Sequence, residues 1–80
     1  MEQTRSEAIA LFRQRAKEAA THYQTAIENC DRNYIRFHVG QVRCPHLTGE
    51  TYIAWIASAL LEIMPNVKVE QYSTAIIVRW

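Results

Sequence analysis

Residues 48–65 read TGETYIAWIASALLEIMP, and the reading of this stretch decides the fold. At helical spacing Thr51, Ser58 and Glu62 line up as its one polar stripe. Ile53, Ile56, Leu60, Ile63 and Met64 fall together as the expected core face, with Trp55 and Leu61 on its two flanks. Thr48 stands where a cap is needed, Glu50 sits in the positive first turn, and Leu47 is placed to staple onto Tyr52. Pro65-Asn66 stops the helix. A helix apolar on nearly every side must be covered on nearly every side. A chain of 80 residues buries only about 60–65% of its unfolded surface. The cover is therefore either the rest of this chain or a partner, which is a second copy or a different macromolecule.

The segment before it supplies the first candidate cover. Thr4-Arg5-Ser6-Glu7 fits a capping box, and neither Gly nor Pro occurs from there until Gly40. Apolar residues recur at Ile9, Phe12, Ala16, Ala19, Tyr23, Ala26 and Cys30, in steps alternating between three and four, and Ala8, Leu11, Ala20 and Ile27 widen this seam. The spacing predicts a helix over about residues 5–29, roughly 37 Å long at 1.5 Å per residue. Its alanines permit close approach but bury little area each. One reading lays it across the domain's own sheet. The other makes it a dimer seam overhanging the body. The first is preferred, because three heptads are the minimum for a coiled coil.

The strands follow from alternation. After the polar break Asp31-Arg32-Asn33, in which Asn33 is a candidate for the left-handed conformation that closes helices, Tyr34 to Val39 alternate. Ile35, Phe37 and Val39 share one side; Tyr34, Arg36 and His38 share the other. Gly40 is a candidate bulge, since the next apolar residue is Val42. The segment VKVEQYSTAIIVRW, residues 67–80, puts Val67 and Val69 on one parity and Ile76, Val78 and Trp80 on the other. The register must break between Glu70 and Ala75. A hairpin turning near Tyr72-Ser73-Thr74 is preferred to one bulged strand, because fourteen residues far exceed the usual strand of about 5–6.

These elements predict a single α+β domain over 1–80. It is a two-layer α/β sandwich in the order α-β-α-β(-β), with the long N-terminal helix and the second helix on one face of a small sheet. The strand–helix–strand unit is expected to be a crossover joining parallel strands. The uncovered sheet face would carry Tyr34, Arg36, His38, Lys68 and Glu70, with Ile77 and Arg79.

Composition narrows the function classes. A hydrophobic fraction of 49% and a charged fraction of 21% are those of a folded globular chain. Nine basic and eight acidic side chains leave a net charge of +1, which argues against a general polyanion binder, although seven of the nine cations are Arg. The N-terminus is charged rather than signal-like, and the longest apolar run falls well short of the roughly 18 residues of a membrane span. Two cysteines make no disulfide framework. The expectation is a reduced, cytoplasmic protein without membrane attachment.

Candidate chemistry is sparse. Cys44-Pro45-His46 could contribute to a zinc site with Cys30, His22 or His38, but structural zinc sites use two tight ligand pairs and this chain offers one. The expectation is no metal and no cofactor. Cys44 near a helix N-terminus would have the setting of an activated thiol. A catalytic cysteine also needs an oriented base and an oxyanion hole, and the chain has only Gly40 and Gly49 to build one. No residue is assigned a catalytic role, and the chain is read as a non-enzyme.

What remains is binding. Tyr34, Arg36 and His38 form a polar-aromatic patch of the kind protein interfaces enrich, and Trp55, Leu61 and Trp80 are candidate apolar anchors. The expected function is an adaptor, regulator or inhibitor that occupies a protein partner's surface and associates with itself. The alternative is a nucleic-acid-binding module. It would stack bases on Tyr34, Arg36 and His38 and draw on Arg13, Arg15, Lys17 and Arg43 for phosphate contacts.

Overall fold

A computed structural model of the chain describes residues 5–40 and 46–80. The elements run α1 (Arg5–Glu28), β1 (Tyr34–His38), α2 (Gly49–Ile63), β2 (Lys68–Gln71) and β3 (Ala75–Arg79). This is the expected α+β order, with both helices packing on the sheet. Thr4 of the capping box, Val42 of the suggested bulge, and Arg43, Cys44 and Pro45 lie outside the described residues.

α1 buries Ala8, Ala16, Ala20 and Ile27, with Ala19 and Tyr23 packed against the core. Its small side chains let α2 approach, and α1 packs chiefly on α2. Aromatic contacts mark its two halves. Phe12 meets Tyr52 of α2 edge-on at 5.5 Å, and Tyr23 stacks on Phe37 of β1 at 3.9 Å and 11°. Leu11 departs from the expected pattern: it is 37% exposed and does not widen the buried seam. At helical spacing it lies well round the helix from the buried Ala16, Ala20 and Ile27. Asn33 is a second correction, because no described residue has positive φ. The end of α1 is closed locally instead. The amide of Asn29 donates to the Thr25 carbonyl at 3.1 Å, and its side-chain Nδ2 donates to the same oxygen at 2.9 Å.

α2 begins as expected. Thr48 Oγ1 accepts from the Thr51 amide at 3.2 Å. Ile53, Ile56, Ala57 and Leu60 are buried, Met64 is half-buried, and Thr51, Ser58 and Glu62 face solvent. Ile63 does not join the core face, being 43% exposed. It is the last residue of the helix, where the chain turns through Pro65-Asn66 towards β2.

The three strands are ordered β1-β3-β2, and both pairings are antiparallel. β1 and β2 are therefore parallel to each other, as expected of a strand–helix–strand unit, but β3 lies between them. The hairpin reading of the C-terminal segment holds. Val69 pairs with Val78 and Gln71 with Ile76, which returns Val67, Val69, Ile76 and Val78 to one face despite their opposite parity. The Tyr72 amide donates to the Ala75 carbonyl at 2.9 Å. The turn uses no positive φ, so it requires neither Gly nor Asn.

Across β1, Ile35 faces Val78 and Phe37 faces Ile76 on the helix-covered side. Ile76 and Val78, with Phe37 packed against them, make one core with Ile53, Ile56, Leu60, Ala16, Ala20 and Ile27. Truncating Ile56, which is all but fully buried, should cost roughly 2–5 kcal/mol in urea unfolding because it leaves a cavity. Leu61→Ala, on the exposed flank, should stay within about 0.5 kcal/mol of the wild type. A neutral Ile56→Ala would show that α2 presents another face to the core.

Candidate functional site: the open sheet face

Strand pairing places the second set of side chains on the side the helices leave uncovered. One row across the sheet reads Tyr34, Arg79, Lys68, and the next reads Arg36, Ile77, Glu70. The third begins with His38 opposite Ala75, and the turn residue Tyr72 follows beside Ala75. Ile77 is thus the apolar centre, ringed by aromatic and charged side chains. Every residue expected on this face is found there.

Glu70 organises one side of the ring. Its Oε1 lies 3.3 Å from Arg79 Nε, and its Oε2 accepts a hydrogen bond from the Tyr72 hydroxyl at 2.9 Å. These groups are solvent-exposed, so the ion pair orders the surface more than it stabilises the fold. The bond to Glu70 raises the Tyr72 pKa above its ordinary value, and the carboxylate's charge acts in the same direction; Arg79 and Arg36 oppose it more weakly. Arg36, His38 and Lys68 form no side-chain hydrogen bond or ion pair with any described residue. Tyr72 was not among the residues expected here, because its place in a turn hid it. The available signal was its two-residue spacing from Glu70 on an alternating strand.

The other expected binding residues divide between the end of the sheet and the helix layer. Trp80 belongs with the sheet. Its amide donates to the Asn33 carbonyl at 3.0 Å, extending the β1–β3 ladder, and its side chain is 41% exposed. Small hollows flank it on both sides, one lined by Asn33, Tyr34 and Arg79, the other by Asn66, Lys68 and Arg79. Trp55 and Leu61 are on α2, across the sheet from Tyr34, Arg36 and His38. Trp55 is half-buried in a hollow between the helices, with the Arg13 guanidinium 5.0 Å from its ring centre. Lys17 lines the same hollow opposite Glu62, and Arg15 lies 5.2 Å from the Phe12 ring. The α1 cations therefore do not join the open-face patch, and Arg43 lies outside the described residues. Burial raises the pKa of both Tyr23 and Tyr52 in this layer.

Among the described residues, no three His, Cys, Asp or Glu side chains come together as a metal-binding group. Cys30 is half-buried and unpaired, and His46 is exposed. No described helix is long and apolar enough to cross a membrane. No family model, curated protein or solved structure matches the chain.

The Glu70–Tyr72 contact can be checked by titration. Tyr72 should lose its proton at a pH above the ordinary tyrosine value of 10.0, and Glu70→Gln should bring it back down by removing the negative charge. Because the folded-state pKa is raised, any stability from this bond is present below the unfolded pKa and lost as the pH rises through the folded one. Carbon-detected NMR of the Tyr72 ring reads the shift directly; a titration indifferent to Glu70→Gln would contradict the contact.

Proposed function

We propose that this chain is a small non-enzymatic binding protein that acts by seating the open face of its sheet on a protein partner. The observation supporting this reading is the one-sidedness of the sheet. The helices cover one face, and the other presents Ile77 within a ring of Tyr34, Arg36, His38, Glu70, Tyr72 and Arg79. An apolar centre with a polar rim is the arrangement of stable protein interfaces, and Tyr, Trp and Arg are the residues that most often dominate their energy. Trp80 follows β3 with the parity of Ile76 and Val78 and stands exposed at the end of the sheet, beside Tyr34 and Arg79. An adaptor, a regulator and an inhibitor would each act through such a face by occupying part of a partner.

The alternation of aromatic, guanidinium and imidazole along β1 is also what a base-stacking platform uses. Glu70 at the rim and the separation of the α1 cations from this face weigh against that reading.

The test is capture of partners by the tagged chain from its native extract, with and without nuclease. The wild type should be compared with Tyr34→Ala/Arg36→Ala and with Trp55→Ala/Leu61→Ala. The proposal expects a discrete protein that survives nuclease and is lost with the Tyr34/Arg36 variant. Loss on nuclease treatment would favour nucleic acid. Loss only with the Trp55/Leu61 variant would move the working surface to the helix layer.

A further inference from the structure

Resting on the protein-binding reading, we infer that the open sheet face is built for an acidic segment of its partner. Among the charged side chains that the strand register puts on this face, Arg36, Lys68 and Arg79 are cations and Glu70 is the sole anion. Glu70 is already engaged by Arg79 and by Tyr72. Among the described residues, Arg36 and Lys68 are left as unspent positive charges on the two outer strands, on a diagonal that passes between Ile77 and Arg79 of the central strand. From strand spacing, their Cα atoms are about 12 Å apart. That distance lets both long side chains reach beside Ile77 to a single bound segment. The occupant must then supply carboxylates at its flanks and an apolar group at its middle.

Two other occupants fit less well. A second copy meeting this face through a two-fold axis would press together two surfaces that each carry three cations and one anion, and such an excess of like charge is unfavourable in an interface. A nucleic-acid strand gains its affinity from many phosphate contacts. This face offers two free cations beside a carboxylate, on a chain whose net charge is +1.

The experiment selects a displayed library of random twelve-residue peptides on the wild-type chain, counter-selecting on Arg36→Glu/Lys68→Glu. Circular dichroism would confirm that this variant is folded. The enriched peptides should carry more Asp and Glu than the starting library, together with an apolar residue. They should bind the double variant at least about tenfold more weakly and shift the NMR signals of Arg36, Lys68 and Ile77. Enrichment of neutral or basic peptides that map to the same face would overturn the acidic assignment and leave the protein-binding reading standing. If no peptide is enriched, or none maps to this face, both fall. An oligothymidine strand that binds more tightly than any selected peptide, and is lost with the same variant, would replace the acidic segment with nucleic acid.

Discussion

Both outer strands hang on β3, the strand hydrogen-bonded along both of its edges. Its alternation divides the molecule. Ile76 and Val78 go to the helix side with Phe37, Ile35 and Val69, and Ile77 goes to the open side. The buried face is filled from α1 and α2, which pack on each other as well as on the strands. Apolar burial on that side is the principal stabilising term. A register shift of one residue would exchange the two faces and leave Ile76 and Val78 in water. The composition of the open face is thus a consequence of how the core is built.

The helix layer resolves the difficulty posed by α2. Its apolar circumference is covered from two sides, by the small-residue face of α1 and by the sheet. What remains exposed is modest: Leu61 and Ile63, with Leu11 on α1. Isolated exposed apolar residues are ordinary on folded proteins. The stronger departure from ordinary surface is on the open sheet face, where exposed Tyr34 and Tyr72 stand among the cations Arg36, Lys68 and Arg79.

Much of this was legible in the sequence because it rests on periodicity. The faces of β1 and the hairpin at residues 72–74 follow from where apolar residues recur, and the extents of both helices from that recurrence together with their start and stop residues. The polar stripe Thr51, Ser58 and Glu62 was readable for the same reason. What escaped depends on tertiary contact. Leu11 and Ile63 fit the apolar patterns but stand exposed, and Asn33 lost its capping role to Asn29. The position of β3 between β1 and β2 leaves no local trace, because strand order is set by which edges meet in space. In the candidate site, the residues of the open face could be read from parity. The pairing of Glu70 with Arg79 and Tyr72 could not, since it follows from the register. Nor could the separation of Arg13, Arg15 and Lys17 from that face.

The proposed function requires that the centre of this sheet face, where Ile77 is half-buried, be open to solvent and to a partner in the free chain. Isoleucine methyl NMR with a soluble paramagnetic probe tests it directly. The half-buried Ile77 methyls should relax clearly faster as the probe is added than those of the buried Ile76, Ile53 and Ile56. Equal protection of Ile77 and Ile76 would mean that the face is already covered, and the account of how this protein works would fail with it.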